Sequence, residues 1–223
     1  MRRRLIQGIN DLQTMSPKLL SEWHYEKNGA LKPNMVANTT KKKVWWKCKE
    51  GNEWEASVGS RTRKDGGCGC PVCSNYTVLP GYNDLETKFP LIAKEWDYDK
   101  NGALKPNEVV FGSQRKAWWR CKLDHSWESS ISTRTGKPKA GCPYCSNEKV
   151  WPGFNDLETV HPELAKEWNY EKNKLVSPYD YTIGSSKKVW WKCSKCGKEW
   201  ESALYARRRA NCASCNRKKR YEQ

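Results

Sequence analysis

One pattern, written three times, dominates the sequence. Gly8-Ile9-Asn10-Asp11-Leu12 returns as Gly81-Tyr82-Asn83-Asp84-Leu85 and again as Gly153-Phe154-Asn155-Asp156-Leu157. Trp45-Trp46-Lys47-Cys48 returns 73 residues later as Trp118-Trp119-Arg120-Cys121, and after 72 more as Trp190-Trp191-Lys192-Cys193. A period of this length argues against one large core and for a row of small modules built alike. The repeats run over residues 8–75, 81–147 and 153–216, between a basic N-terminal arm (1–7) and a basic C-terminal tail (217–223). The connectors, residues 76–80 and 148–152, each end in Pro before the next repeat's Gly, which marks a turn. Linkers this short keep neighbouring repeats close.

Each repeat divides into two halves, which makes it a small α+β module. In the front half, Asp11, Asp84 or Asp156 is placed to cap a helix. A Pro in the first turn and Leu-x-x-Glu-Trp or a similar run then predict a short helix ending near Trp23, Trp96 and Trp168. Lys27-Asn28-Gly29 and Lys100-Asn101-Gly102 follow as turns. The back half alternates with a period of two, so Val44, Trp46 and Cys48 share one strand face and Trp45 and Lys47 the other. After a turn, Trp54, Ala56 and Val58 share a face, as do Trp127, Ser129 and Ile131, and Trp200, Ser202 and Leu204. The back half is a β-hairpin with a cysteine at its turn.

A chain only 37% hydrophobic needs a further source of stability, and its 11 cysteines supply one through disulfides or metal. The third repeat carries Cys193-x-x-Cys196 and Cys212-x-x-Cys215, the pattern of a structural tetrahedral zinc site. The second carries Cys121-x-x-x-His125 and Cys142-x-x-Cys145. The first departs from both: Cys48, Cys70 and Cys73 are in place, but Asn52 stands where His125 stands in the second. An extra cysteine, Cys68, is read as the replacement ligand; the alternatives are a degraded site or one completed by the Asn52 oxygen or water. Three zinc ions are expected, one per repeat.

Asn-Asp-Leu, Pro-x-Leu-x-x-Glu-Trp, Trp-Trp-x-Cys and Cys-Pro-x-Cys together resemble a zinc-ribbon repeat family, a treble-clef type of zinc finger. The resemblance covers nearly the whole chain apart from its basic ends. It implies tandem treble-clef, zinc-ribbon-like modules and a DNA-associated role, since such repeats often stand beside endonuclease domains.

Formal net charge is +16, and it is unevenly placed. The front halves are neutral to acidic, whereas the back halves and both ends are basic. Lys42-Lys43, Arg115-Lys116 and Lys187-Lys188 precede the double tryptophans; Lys47, Arg120 and Lys192 follow them. Arg61, Arg134 and Arg207 recur seven residues after the hairpin tryptophan. These twelve residues are the expected phosphate contacts, the other reading being a solvated surface that balances thiolate charge. Trp45, Trp118 and Trp190 either pack on the helix before them or stack on a base.

Two further motifs are discounted. Asp97-x-Asp99-x-Asn101-Gly102 with Glu108 fits the calcium-loop expression, but the other repeats lack Asp97 and Pro106 spoils the exit helix. Asp84, Glu86 and Lys88 look like a nuclease cluster, but the other repeats lack the lysine. The expectation is therefore a nucleic-acid-binding protein, DNA first, with no catalytic residues and no small-molecule substrate. The alternative is an adaptor or inhibitor docking on a nuclease or other nucleic-acid machine. No apolar stretch follows Met1-Arg2-Arg3-Arg4 as a secretion signal would require, and no run spans a bilayer. An intracellular location, cytoplasm or nucleoid, follows as an expectation.

Overall fold

The computed structural model describes residues 4–63, 67–138, 140–208 and 212–215. The C-terminal tail and the first three residues of the N-terminal arm lie outside them. Contacts divide the chain within the second repeat. Residues up to 117 together with 130–135 form one body, and residues 118–129 with those from 136 onward form the other.

Each repeat opens on its aspartate. Asp11 accepts from the Thr14 N–H at 2.9 Å and the Gly8 N–H at 2.5 Å. Asp84 does the same with Thr87 and Gly81, at 2.8 and 2.6 Å, and Asp156 with Thr159 and Gly153, at 2.8 and 2.5 Å. Gly8, Gly81 and Gly153 have φ between +73° and +82°, a conformation only glycine takes without strain. Burial works to raise the Asp84 carboxyl, but the Thr87 N–H and hydroxyl and the Gly81 N–H outweigh it and hold it below its usual range. Replacing Asp84 with alanine removes an N-cap and strands the Gly81 N–H. A loss of about 1–2 kcal/mol in urea unfolding is expected, and an unchanged midpoint would refute the capping role.

The capped helices, Leu12–Met15, Leu85–Lys88 and Leu157–Val160, are one turn long. Their first leucines are fully buried. The single helix expected between aspartate and tryptophan is broken in two, because the proline that follows has no N–H and clashes with the preceding turn. The second piece is a 3-10 helix at Pro17–Glu22 and α-helices at Pro90–Ala93 and Pro162–Ala165. Another one-turn helix follows, Tyr25–Asn28 or Tyr98–Asn101, capped by the His24 ring or the Asp97 carboxylate and closed by Gly29 or Gly102 in the left-handed region. The predicted Lys-Asn-Gly turns are the ends of these helices.

The hairpins form as expected: β1 (Lys43–Lys47) with β2 (Glu53–Ser57), β3 (Lys116–Arg120) with β4 (Ser126–Ser130), and β5 (Lys188–Lys192) with β6 (Glu199–Ala203). Trp46 stands opposite Trp54, and Trp191 opposite Trp200. Trp46, Trp119 and Trp191 are fully buried. Their indole N–H groups donate to Ala56, Ser129 and Ser202 carbonyls at 3.0–3.1 Å. Covering an indole of about 200 Å² at ~25 cal/mol/Å² is worth roughly 5 kcal/mol, so one tryptophan does the work of two or three aliphatic side chains. Trp23 meets Trp46 edge-on at 5.6 Å, and Trp168 meets Trp191 at 5.8 Å. A short helix that was not foreseen closes each hairpin: Val58–Arg61, Ile131–Thr135 and Leu204–Arg207.

Two asparagines per repeat bond to backbone. Asn28 pairs both amide groups with the Trp45 backbone, at 2.8 and 2.9 Å, and Asn173 does so with Trp190. They satisfy a strand edge that would otherwise invite pairing. Asn83, 1% exposed, donates to the carbonyls of Val72 and Thr77, and Asn155 to those of Tyr144 and Lys149. Each thereby grips the Cys-Pro-x-Cys segment of the repeat before it.

Candidate metal centres and hairpin faces

The hairpin turn builds half of each metal cluster. In the third repeat the Cys193 N–H donates to Lys198 O and the Gly197 N–H to Cys193 O, both at 2.9 Å, which folds Cys196 back beside Cys193. Cys212 and Cys215 complete a group whose donor atoms all lie within 4.8 Å of one another. Cys193–Cys215 and Cys196–Cys212 sulfurs are both 3.7 Å apart. In the second repeat His125 Nδ1 lies 3.5, 3.7 and 3.4 Å from the sulfurs of Cys121, Cys142 and Cys145.

These distances test the metal. A tetrahedron round Zn²⁺ has edges of roughly 3.8 Å between sulfurs and about 3.6 Å between sulfur and nitrogen. A disulfide needs ~2.0 Å. The observed separations match the first and exclude the second, and all eleven cysteines are free thiols. Four protein donors close the shell in the second and third centres. The His125 ring is also hemmed in by Phe154, Trp151 and Tyr144, at centroid distances of 4.3, 5.1 and 5.5 Å. The sequence reading missed these aromatic walls, which come largely from the connector and the repeat beyond; an aromatic directly after the Pro-Gly step was their one signal.

Without a cation the thiols hold their protons unequally. Cys215 is pushed up to about 12 by hydrogen bonding with Cys196 and Cys193, with burial adding to it. Burial would also raise Cys212, but the N–H groups of Cys215 and Ser214, with the Cys196 and Cys193 thiols, bring it down to about 7. Burial and then Cys142 and Cys121 push Cys145 up to about 12. Four close thiols cannot all ionise alone; zinc binding must release their protons, so affinity falls as pH falls.

The first repeat gathers only Cys48, Cys70 and Cys73 among the described residues. Cys48 and Cys73 sulfurs are 3.6 Å apart, and the Asn52 amide nitrogen lies 3.4 Å from Cys73 Sγ. Cys68, expected as the fourth thiolate, does not join them. It is exposed, its N–H bonds to Ser60 O at 3.0 Å, and its carbonyl is gripped by Arg61, so its backbone is tied to the closing helix instead.

A family model described as "Probable Treble clef zinc finger domain" matches residues 19–76, 92–148 and 164–218, most of the chain. The chain belongs to this treble-clef zinc finger family. No curated protein matches it. Three treble-clef copies and three cysteine clusters agree in number, and each cluster can hold one zinc ion.

The outer faces of these treble-clef hairpins carry less free charge than expected. Lys42, Lys43, Arg115, Lys116, Lys187 and Lys188 are exposed at the strand starts. Lys47 and Lys192 are exposed too, but across the strand they meet Glu53 and Glu199, at 3.5 and 3.9 Å. Arg120 stands 3.7 Å from Asp124. Glu53 is held at about 2 by Lys27, 2.7 Å away, and then by His24. The glutamates opposite Lys47 and Trp45, and those opposite Lys192 and Trp190, were legible from the strand register but were not weighed.

Arg61, Arg134 and Arg207 are not on this face, which corrects their reading as phosphate contacts. They are 4–6% exposed and paired with Glu22, Glu95 and Glu167, the glutamates preceding Trp23, Trp96 and Trp168. Arg61 also lies over Trp46 and Trp54, and Arg207 over Trp191 and Trp200, at 5.0–5.2 Å. Trp45 and Trp190 are half-buried. Their rings are covered by Lys27 and Lys172, at 4.1 and 4.0 Å, while Trp23 and Trp168 go to Trp46 and Trp191 instead. Asp97 and Asp84, from the two discounted motifs, serve as helix caps.

Proposed function

We propose that this treble-clef array binds nucleic acid, DNA first, and performs no catalysis of its own. The observation that carries the reading is the recurrence of an exposed cation pair at the start of each hairpin: Lys42-Lys43, Arg115-Lys116 and Lys187-Lys188. In the first and third hairpins the pair leads to an indole with a lysine over its ring. Such pairs suit phosphates, and few side chains nearby suit base edges, so recognition rests on backbone and shape. The thiolates require a reducing compartment, which favours the cytoplasm or nucleoid. No helix among the described residues is long and apolar enough to cross a membrane.

Titrating the zinc-loaded chain against duplex DNA, single-stranded DNA and RNA at rising salt tests this. Six strand-start cations on a duplex would give a slope of log K against log salt of about −5. Replacing both Lys42 and Lys43 with alanine should lower that slope by about 2, while Lys47→Ala, already partnered by Glu53, should change it by less than 1. No binding to any of the three at low salt sinks the proposal. A second reading, an adaptor or inhibitor docking on a nuclease, draws on Tyr25, Tyr98 and Tyr170, which recur at one position and are 53–60% exposed. A stoichiometric partner retained from nuclease-treated extract, and lost when the three tyrosines are replaced, would favour it.

A further inference from the structure

The second and third centres are closed by four protein donors, and the first offers three among the described residues. The difference is one side chain on a shared backbone. The Cys48 N–H donates to Asn52 O, and the Cys121 N–H to His125 O, both at 3.0 Å. Asn52 and His125 therefore occupy the same place in the same turn. His125 presents Nδ1 to three sulfurs. Asn52 presents its amide N–H to Cys73 Sγ, a hydrogen bond to sulfur and not a donor to metal. The Tyr82 phenol stands near Cys73. A neutral amide or phenol oxygen competes poorly for zinc beside thiolates. Cys68 is exposed and lies outside this group. Cys73 is exposed and Cys48 half-buried, so solvent reaches the edge of the centre.

We propose that the first centre holds zinc through Cys48, Cys70 and Cys73 and keeps its fourth position for a monodentate donor from outside the chain, a neutral nitrogen base of the imidazole class that displaces water. In the second centre the imidazole of His125 fills this same place in the same turn, so a nitrogen base of that class fits the fourth position of the first. Three protein ligands with an exchangeable fourth position distinguish an open zinc site from a closed structural one. The inference rests on the zinc reading of the three clusters.

Cobalt(II) loaded into the full chain reports ligand changes through its visible absorption. The chain should take three equivalents, and added imidazole should shift the bands of one equivalent saturably. Asn52→His should keep three equivalents and abolish the shift, and Cys68→Ser should leave the shift intact. Three equivalents with no imidazole response would mean that the chain closes the position itself, which overturns the proposal. A response that survives Asn52→His, or that disappears in Cys68→Ser, also overturns it. Two equivalents would show that the first cluster does not load, removing the zinc reading there and leaving the other two centres untouched.

Discussion

Replacing Cys193 and Cys212 together with serine is expected to abolish one zinc equivalent and unfold the third repeat. Both are buried, at 4% exposed, and removing two of four donors leaves too few to hold the ion. The apolar core of this repeat is small: Leu157, Trp168, Val189, Trp191 and Leu204 are its buried members. A core of that size does not fold such a segment alone, whereas structural zinc in small fingers contributes apparent binding energies of about 10–16 kcal/mol. Metal should therefore decide between folded and unfolded. Zinc counted with a chromophoric chelator and near-ultraviolet circular dichroism of the tryptophans check this. A variant that keeps three equivalents, or loses one with its tryptophan signal intact, would show that the fold does not depend on the centre. Lowering the pH should mimic the variant in the native chain, because the thiols must be deprotonated to bind.

Glu167→Ala should be nearly as damaging, without touching a metal ligand. Glu167 pairs with Arg207, and its other oxygen accepts from the Ser194 N–H and hydroxyl at 3.3 and 3.1 Å. Alanine takes the carboxylate partner away from the Arg207 side chain, which is 3% exposed and lies between two tryptophans. Breaking a buried pair from one side costs about 3–5 kcal/mol, against ~0–1 kcal/mol for an exposed pair. The double variant Glu167→Leu with Arg207→Met should recover most of the loss, since no charge is left buried. Urea midpoints of the three variants decide it. A single variant costing less than about 1 kcal/mol would return Arg207 to the surface role first read for it.

The misreading of Arg207 shows where sequence reasoning stops. Its recurrence seven residues after the hairpin tryptophan, shared with Arg61 and Arg134, was visible, and a recurring arginine in a basic stretch suggests phosphate. The partner glutamates lie 39 or 40 residues earlier, in segments that a local pattern does not connect to the hairpin. The short closing helix that turns the guanidinium inward was also too brief to leave a periodic signal. By contrast, the ligands of the second and third centres were legible, because Cys-x-x-Cys and Cys-x-x-x-His spacings carry their own geometry. Strand alternation likewise assigned Trp46, Trp119 and Trp191 to the inner face. Cys68 misled for a simple reason: a residue count places it two positions from Cys70, but its backbone is bonded to Ser60 and Arg61 and its thiol lies outside the cluster.

The grip of Asn83 on Val72, and of Asn155 on Tyr144, bears on how such a chain can lengthen. Every repeat carries an asparagine plug at its front, and each of the first two ends in a socket, the metal-binding loop whose carbonyl receives the plug of the next. Asn10 has kept its plug, and its amide donates to the Arg4 carbonyl. A gene duplication that copies one repeat therefore copies both halves of a joint already fitted to its neighbours. Growth by whole repeats needs no newly evolved interface, whereas an insertion that separates plug from socket breaks a joint at once.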